Sequence, residues 1–390
     1  MIDFSLSEND QRVLDEVRRQ ALVCREYARY YDDHEEEFAP DELPEAAEFK
    51  SPYGAMAQRD DLDTSLGVLS MLVSAGQTWG DYTVRMRRSG GGLGNAALRA
   101  SGTPEQQQRW GGTTLAMAIT EPGCGSDSKA VQTTAALDGD EWVINGEKIF
   151  VTTGCRCDGV VVWATIDKSA GRAGIKSFVV MKDTPGFEVT HKEKKLGIRA
   201  DDTAAMVFQD ARIPRDHLLG RDETVPKQGA GGFRGVMKTF NMTRPAVAAL
   251  GLGIAQAALD FTRDSLAQEG IEVDWGVGKH ARTAIQQELI EIEADIEAGM
   301  LDVLHATWLS GESQPNNREA SIAKAKGGEV ARTATQRCLE ILGGFGISRE
   351  HLVEKWFRDC RITDIYEGTG EIQRLIIARD ILGYTSAELS

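Results

Sequence analysis

The chain has 390 residues, more than one hydrophobic core usually serves, so two or three domains are expected. Apolar residues make up 41% and charged residues 27%, the balance of an ordinary globular protein. A formal net charge of −16 argues against a nucleic-acid binder, which carries a basic face. Residues 1–115 read as mainly helical. "SLSENDQRVLDEVRRQALVCREYARYY" opens with a Ser7-x-x-Asp10 cap and sets Val13, Leu14, Val17 and Ala21 at helical spacing. Two prolines break the pattern in "FAPDELPEA". "LGVLSMLVSAGQTW" reads as a more buried helix, and another starts at Thr103-Pro104 with proline in its first turn.

Residues 116–228 change character. "EWVINGEKIFVTTG", "GVVVWATID", "KSFVVMK", "FEVTHKE" and "TAAMVFQDARIP" are short β-branched or aromatic runs punctuated by Gly, Asn and Asp. Asn145-Gly146 is the strongest hairpin signal and predicts a turn there. Residues 229–390 become helical again after the joint "GAGGFRG". Ile285, Leu289, Ile292, Ile296 and Met300 form one buried stripe, and four such helices predict a bundle. The fold class expected is α+β: an N-terminal α-helical domain (1–115), a middle antiparallel β domain (116–228) and a C-terminal four-helix bundle (229–390).

Six cysteines, Cys24, Cys124, Cys155, Cys157, Cys338 and Cys360, are scattered without zinc spacing. No metal is expected, and reduced thiols suit the cytosol. The N-terminal stretch is acidic and amphipathic, without the apolar core of a secretion signal. No run reaches the roughly 20 apolar residues of a membrane span. A cytoplasmic protein is expected.

Four stretches carry candidate chemistry. "AMAITEPGCGSDS" (116–128) exposes main-chain N–H groups and the hydroxyls of Thr120 and Ser126; it is either an ordinary turn or a cradle for a phosphate or ring edge. In "KIFVTTG" strand alternation puts Phe150 and Thr152 on one side, as a core Phe or as cover for a flat cofactor. "LEILGGFGI" ends a helix at Gly343-Gly344, a cap or a close approach to a ligand. In "DIYEGTGEIQRLIIARDIL", Thr369 can cap a helix with Glu371 in its first turn. Glu367 is then a solvated bystander, or else a carboxylate whose pKa an apolar setting raises for use as a base. Local chemistry leaves both open. A Rossmann site is not expected: "GLGNAA" (92–97) follows no strand, and Gly251-Leu-Gly253 lies inside a helical pattern where glycines allow close packing.

Seven segments, in order, resemble the acyl-CoA dehydrogenase family: "AITEPGCGSD", "WVINGEKIFVTTG", "KLGIRADDTAAMVFQDARIPRDHLLG", "TRPAVAALGLGIAQAALDF", "AKAKGGEVA", "EILGGFGI" and "RDCRITDIYEGTGEIQRLIIARDIL". The resemblance implies FAD in a crevice between the β domain and the bundle, and an acyl-CoA thioester as substrate. The implied reaction is anti α,β-dehydrogenation: a base takes the α-proton and the β-hydrogen leaves as hydride to flavin N5. Electron-transfer flavoprotein is the implied acceptor.

By position, Glu367 falls on the base of the "IYEGT" motif. One branch of the family takes its base from the position of Thr243, which offers no carboxylate. The α-proton becomes acidic only if the thioester carbonyl is polarised. In the family the N–H of the base and a flavin ribityl hydroxyl do this. Ile119, Thr120 and Ser126 fall on the flavin loop, and Phe150, Val151 and Thr152 on the strand beside the ring. Gly343 and Gly344 fall on the part reaching a neighbouring subunit's flavin, and Thr369 and Glu371 on the segment touching the dinucleotide. The implied substrate contacts are Ser126, Asn241, Arg244 and Gly368.

The chain also departs from the family. Phe150 stands where Trp is common, Asn241 where some relatives have Asp, and Glu340 and Glu371 where Gln is frequent. An acid beside a pyrophosphate is repulsive unless neutralised or turned away. The "RxxFG" motif between the first two bundle helices is missing. In "AQEGIEVDWGVGKHARTAIQ", Trp275-Gly276 echoes its end, with Lys279 or Arg282 as substitutes. "SPYGAMAQRDDLD" replaces the usual "PEEYGGxG" turn. Two assemblies follow: a homotetramer with an altered flavin-phosphate site, or a heterotetramer whose related subunit supplies the missing contacts. Alternative functions are a carrier-protein thioester as substrate, oxidase, reductase or monooxygenase chemistry, and a non-catalytic subunit.

Overall fold

The computed structural model describes residues 5–37, 66–86, 92–225, 233–384 and 388; the "FAPDELPEA", "SPYGAMAQRDDLD" and "GAGG" stretches lie outside them. The chain divides into two compact units. One takes the described residues of Met1–Arg87, Leu196–Ala200 and Asn241–Ser390, the other those of Arg88–Lys195 and Asp201–Phe240.

The first unit is helical. α1 (Glu8–Asp33) starts with the expected capping box: the Ser7 hydroxyl accepts from the Asp10 N–H and the Asp10 carboxylate from the Ser7 N–H, each at 3.1 Å. Val13, Val17 and Ala21 are buried, as their spacing predicts. α2 (Leu66–Gly80) and α3 (Tyr82–Met86) follow. Beyond the second unit's own helices, α4 (Leu93–Ser101) and α5 (Pro104–Trp110), come the long helices α6 (Phe233–Gln268), α7 (Ala284–Gly311) and α8 (Asn317–Leu342). α6 runs through Pro245 instead of starting beside it. Its part Thr243–Gln268 is long and apolar enough to cross a membrane, contrary to expectation. It is instead the core helix of this unit, with Leu252, Ile254, Ala255 and Leu259 almost fully buried. Gly253 fits it to α2: a Cβ there would meet the Ala75 carbonyl at 2.1 Å, so the glycine serves close packing.

α9 (Val353–Asp359) leads through a 3₁₀ turn, Cys360–Asp364, to α10 (Gly370–Leu382). A buried charge cluster fastens this approach. Lys355 Nζ bonds Asp81 Oδ2 and Asp359 Oδ2, both at 2.5 Å, and Asp359 Oδ1 accepts from the Ile198 N–H at 2.6 Å. Asp81 in turn accepts from the N–H groups of Thr83 and Val84, so α3, α9 and residues 196–200 are tied together. Removing one member of such a buried, paired cluster leaves an uncompensated charge, so the three segments are held to this arrangement.

The second unit is a seven-stranded sheet: β1 (Leu115–Ala118), β2 (Thr134–Asp138), β3 (Glu141–Val151), β4 (Gly159–Thr165), β5 (Ile175–Met181), β6 (Phe187–Lys192) and β7 (Ala204–Pro214). The order is β1-β4-β2-β3-β7-β6, with β5 on β4. The β2–β3, β3–β7, β6–β7 and β4–β5 ladders are antiparallel, while β1 runs parallel to β4 and β2 meets β4 in one parallel pair. α5 begins as read, with Thr103 as cap and Pro104 as its first residue.

The predicted hairpin at Asn145-Gly146 is corrected. β3 runs straight through it, and the β2–β3 turn falls at Gly139 (φ 63) beside the Asp138–Glu141 pair. Gly146 is instead a close-approach site at a register shift against β7: a Cβ there would lie 2.4 Å from Thr133 Oγ1. Asn145 braces the same irregularity, donating to Asp210 Oδ1 (3.1 Å) and accepting from the Asp210 N–H (2.8 Å).

Candidate active site

In the helical unit the stretch between the 3₁₀ turn and α10 holds Glu367 in a strained conformation. Glu367 has φ 55 and Gly368 φ 90. A non-glycine residue there costs about 1–3 kcal/mol and persists only when its surroundings enforce it. The buried Gln373, one turn into α10, does so: its Nε2 donates to the carbonyls of Glu367 (3.3 Å) and Gly368 (3.1 Å). Thr369 caps α10 by accepting from the Ile372 N–H (3.4 Å), as expected. Tyr366, next to Glu367, shares a hydroxyl–hydroxyl bond of 2.7 Å with Tyr82. Among the described residues, nothing accepts from the Glu367 N–H.

The Glu367 side chain is half-buried, and its Oε2 has no hydrogen-bond partner among the described residues. Burial pushes its carboxyl above the usual carboxylate range, against a hydrogen bond from the Thr243 hydroxyl and the charges of Lys324 and Arg244. The residue at the family's alternative base position therefore bonds to the carboxylate. Arg244 is buried, with Nη1 3.5 Å from Asn317 Oδ1; burial lowers its guanidinium to about 10, with Glu367 pulling the other way. A carboxylate held neutral more readily than usual, between two cations, can take up a proton near working pH. The solvated-bystander alternative for Glu367 does not fit this setting.

In the β unit, the loop after β1 is fixed by an acid the sequence reading passed over. Glu121 is 5% exposed and Lys148 fully buried, and they pair at 2.7 Å. Glu121 Oε1 also accepts from the Thr133 N–H (2.9 Å) and hydroxyl (2.5 Å), and Oε2 from the Gln132 N–H (2.7 Å). Lys148 donates further to the Ile119 carbonyl (2.9 Å), and the Ile149 N–H to the Thr120 carbonyl (2.9 Å). Burial pushes the Glu121 carboxyl up, but Lys148, Thr133 and Gln132 outweigh it and hold it below the usual carboxylate range. Ile119 and Thr120 are thereby locked by their own carbonyls. Ser126 is exposed beyond them, and a Cβ at Gly123 would meet nothing within 4 Å.

Phe150 is not a core residue: it is 58% exposed at φ 56, a rare conformation for a bulky side chain. The strand alternation used for Phe150 and Thr152 fails. The β3–β7 register shifts between Lys148 and Val151, and Thr152 lies in a turn beyond the strand. Val151 is buried. A strained, exposed ring beside an open, rigid glycine loop suits a flat cofactor with an anionic tail, and on that ground the unit fits FAD.

The remaining sites divide. Gly343 (φ 56) caps α8, its N–H donating to the Leu339 and Glu340 carbonyls, and a Cβ at Gly343 or Gly344 would meet nothing within 4 Å. Glu340 is exposed and accepts from Gln336 (2.9 Å). Glu371 is exposed, its carboxylate held below the usual range by its own N–H and the Thr369 hydroxyl. It belongs to the start of α10. Asn241 lies in α6, and its side chain falls outside the described residues. Arg282 turns onto its own loop, donating to the Trp275 carbonyl (3.0 Å), and Lys279 is exposed. Lys324, Gln373, Glu121 and Lys148 were missed, although all four stand inside the quoted motifs.

A half-buried acid flanked by cations and, in the other unit, a sheet that fits a flavin are features an oxidoreductase would use. The acyl-CoA dehydrogenase middle-domain model matches residues 116–211, and the acyl-CoA dehydrogenase C-terminal-domain model residues 230–382. The mitochondrial short-chain specific acyl-CoA dehydrogenase of Bos taurus is 35% identical over 380 residues, 92% of this chain and 88% of that one. Butyryl-CoA dehydrogenase of Megasphaera elsdenii shares the fold with a TM-score of 0.81 at 30% identity, over 98% of this chain and 100% of that one. A chain from a structure of the electron-transferring flavoprotein of Acidaminococcus fermentans gives the same TM-score, 0.81, at 30% identity, covering 98% and 100%. The chain belongs to the acyl-CoA dehydrogenase family. It is an oxidoreductase acting on CH–CH bonds of acyl-CoA thioesters, and members of its family bind FAD.

Proposed function

We propose that this chain binds FAD and dehydrogenates a short-chain acyl-CoA to the trans-2-enoyl-CoA, with Glu367 taking the α-proton. The observation that carries this reading is the raised carboxyl of Glu367 at a strained backbone position, bonded by Thr243 and flanked by Lys324 and Arg244. The names of the Bos taurus and Megasphaera elsdenii relatives support a short acyl chain. Bound FAD supplies the two-electron acceptor for the β-hydrogen. Thr120, Ser126 and Phe150 would hold it, the hydroxyls and loop N–H groups toward its polar atoms and the ring against its flat face.

The protein's own steps follow from the geometry. The Glu367 N–H, which no described residue engages, donates to the thioester carbonyl and stabilises the charge that develops as the α-proton leaves. Gln373 holds the two carbonyls that flank the Gly368 Cα and so fixes the turn immediately after Glu367. Glu367 accepts the proton while Arg244 offsets the charge before transfer. An electron-transferring flavoprotein is the proposed acceptor, a reading supported by the Acidaminococcus neighbour.

Anaerobic addition of butyryl-CoA to the yellow, FAD-loaded protein is expected to bleach its visible absorbance. Failure with every member of an acyl-CoA panel would overturn the reading. The same samples test the pH dependence. Glu367 must be ionised to act, so kcat/KM falls as pH drops through its pKa. Because burial raises that pKa, the acid limb is expected well above the free-glutamate value of about 4.3. A limb at that value contradicts the assignment.

A further inference from the structure

Lys324 is a second buried cation beside Glu367, on the middle of α8. Its side chain is fully buried, and its Nζ has no hydrogen-bond partner among the described residues. An ammonium left this way is costly unless a nearby charge compensates it.

The packing shows what it faces. Gly327 and Gly328 lie three and four residues on, over the same face of α8. A Cβ at Gly328 would meet Asp364 Oδ1 at 3.0 Å and its Cα at 3.1 Å; one at Gly327 would meet Ala248 Cβ at 2.6 Å. Ala248 is one turn beyond Arg244 on α6. Arg374 of α10 also pairs with Glu329 of α8 at 2.7 Å. The Lys324 face of α8 is thus pressed against both the 364–370 turn and the stretch carrying Arg244. The charged groups around the ammonium are Asp364, Glu367 and Glu371, which attract it, and Arg244, which repels it. Two buried acceptors lie in the same stretch, Glu367 Oε2 and Gln373 Oε1, neither with a partner among the described residues.

We propose that Lys324 is a positioning residue for proton abstraction, its buried ammonium stabilising the ionised Glu367 carboxylate; this rests on the reading of Glu367 as the base. Arg244 contributes from α6 and Lys324 from α8, so the carboxylate draws on cations from two helices. Burial lowers Lys324 to about 8, with Asp364 and Glu367 pulling the other way, so it remains charged at neutral pH, where the carboxylate needs it.

Lys324→Met removes the charge and keeps most of the stem. With FAD-loaded full-length protein and butyryl-CoA, the acid limb of kcat/KM is expected to move up by about one pH unit, while Lys324→Arg keeps it near the wild-type position. A folded Lys324→Met with an unmoved limb overturns the proposal. The coupling is mutual and can also be read without losing Lys324. In NMR of isotope-labelled lysine, with the signal assigned by its loss in Lys324→Arg, Lys324 is expected to titrate roughly one pH unit lower in Glu367→Gln than in wild type. This decides the matter if Lys324→Met does not fold, and an unchanged titration overturns the role of Lys324. Normal turnover in Glu367→Gln is a different result and overturns the base itself.

Discussion

Glu367→Gln is expected to lower kcat/KM by roughly 10²–10⁴-fold, the contribution of a positioned general base, while the fold and FAD binding persist. In free energy that is about 3–5 kcal/mol of lost transition-state stabilisation. The amide keeps the size of the side chain and can still bond the Thr243 hydroxyl, but it accepts no proton. Stability moves the other way, if at all. The folded carboxyl has a raised pKa, so its ionisation costs the folded state free energy, a cost fully present above the folded pKa and absent at pH values below the ordinary carboxyl pKa. A neutral Gln escapes it. Lost turnover with an unchanged or higher thermal midpoint separates a chemical role from a structural one. Steady-state assays, melting curves and the visible flavin spectrum together read this out, and turnover within about tenfold of wild type would refute the assignment.

Features set by neighbours in sequence were legible. The Ser7–Asp10 box and the Thr103-Pro104 start depend on bonds within one helical turn, so the residue pattern predicts them. The ordered motifs marked the family for the same reason, since each is a local run. Asn145-Gly146 misled because the fate of that glycine depends on Thr133, a contact between strands that outranks the local turn preference. The pairing of Phe150 with Thr152 assumed regular alternation, and a register shift against β7 removes it. Lys324 was invisible for a related reason. A lysine among alanines and glycines on a helix has the same local pattern whether it reaches water or is sealed, and only the turn before α10 decides. Glu371 was placed in the first turn of a helix by its neighbours, and its carboxylate is lowered there by its own N–H and the Thr369 hydroxyl.

The motif "TEPG" was read for its hydroxyls and main-chain N–H groups, yet the buried Glu121 is what orders them. Lys148→Met is therefore expected to destabilise the β unit by roughly 3–5 kcal/mol, the cost of leaving one member of a buried pair without its partner. The methionine stem fills the space, so the loss is electrostatic: Glu121 keeps its bonds to Thr133 and Gln132 but loses the ammonium that outweighs its burial. Its pKa then rises above the ordinary carboxyl value. In the wild type the depressed Glu121 pKa contributes stability present above the unfolded-state pKa and lost as pH falls through the folded one; the variant loses that contribution at neutral pH as well. A fall of the thermal midpoint on the order of 10 °C corresponds to this cost. The double variant Glu121→Gln/Lys148→Met leaves no buried charge and is expected to melt above Lys148→Met alone, which a double-mutant cycle measures. Because Lys148 also holds the Ile119 carbonyl, the single variant should bind FAD more weakly even where it remains folded. A Lys148→Met protein that melts with the wild type would show that the loop stands without its acid.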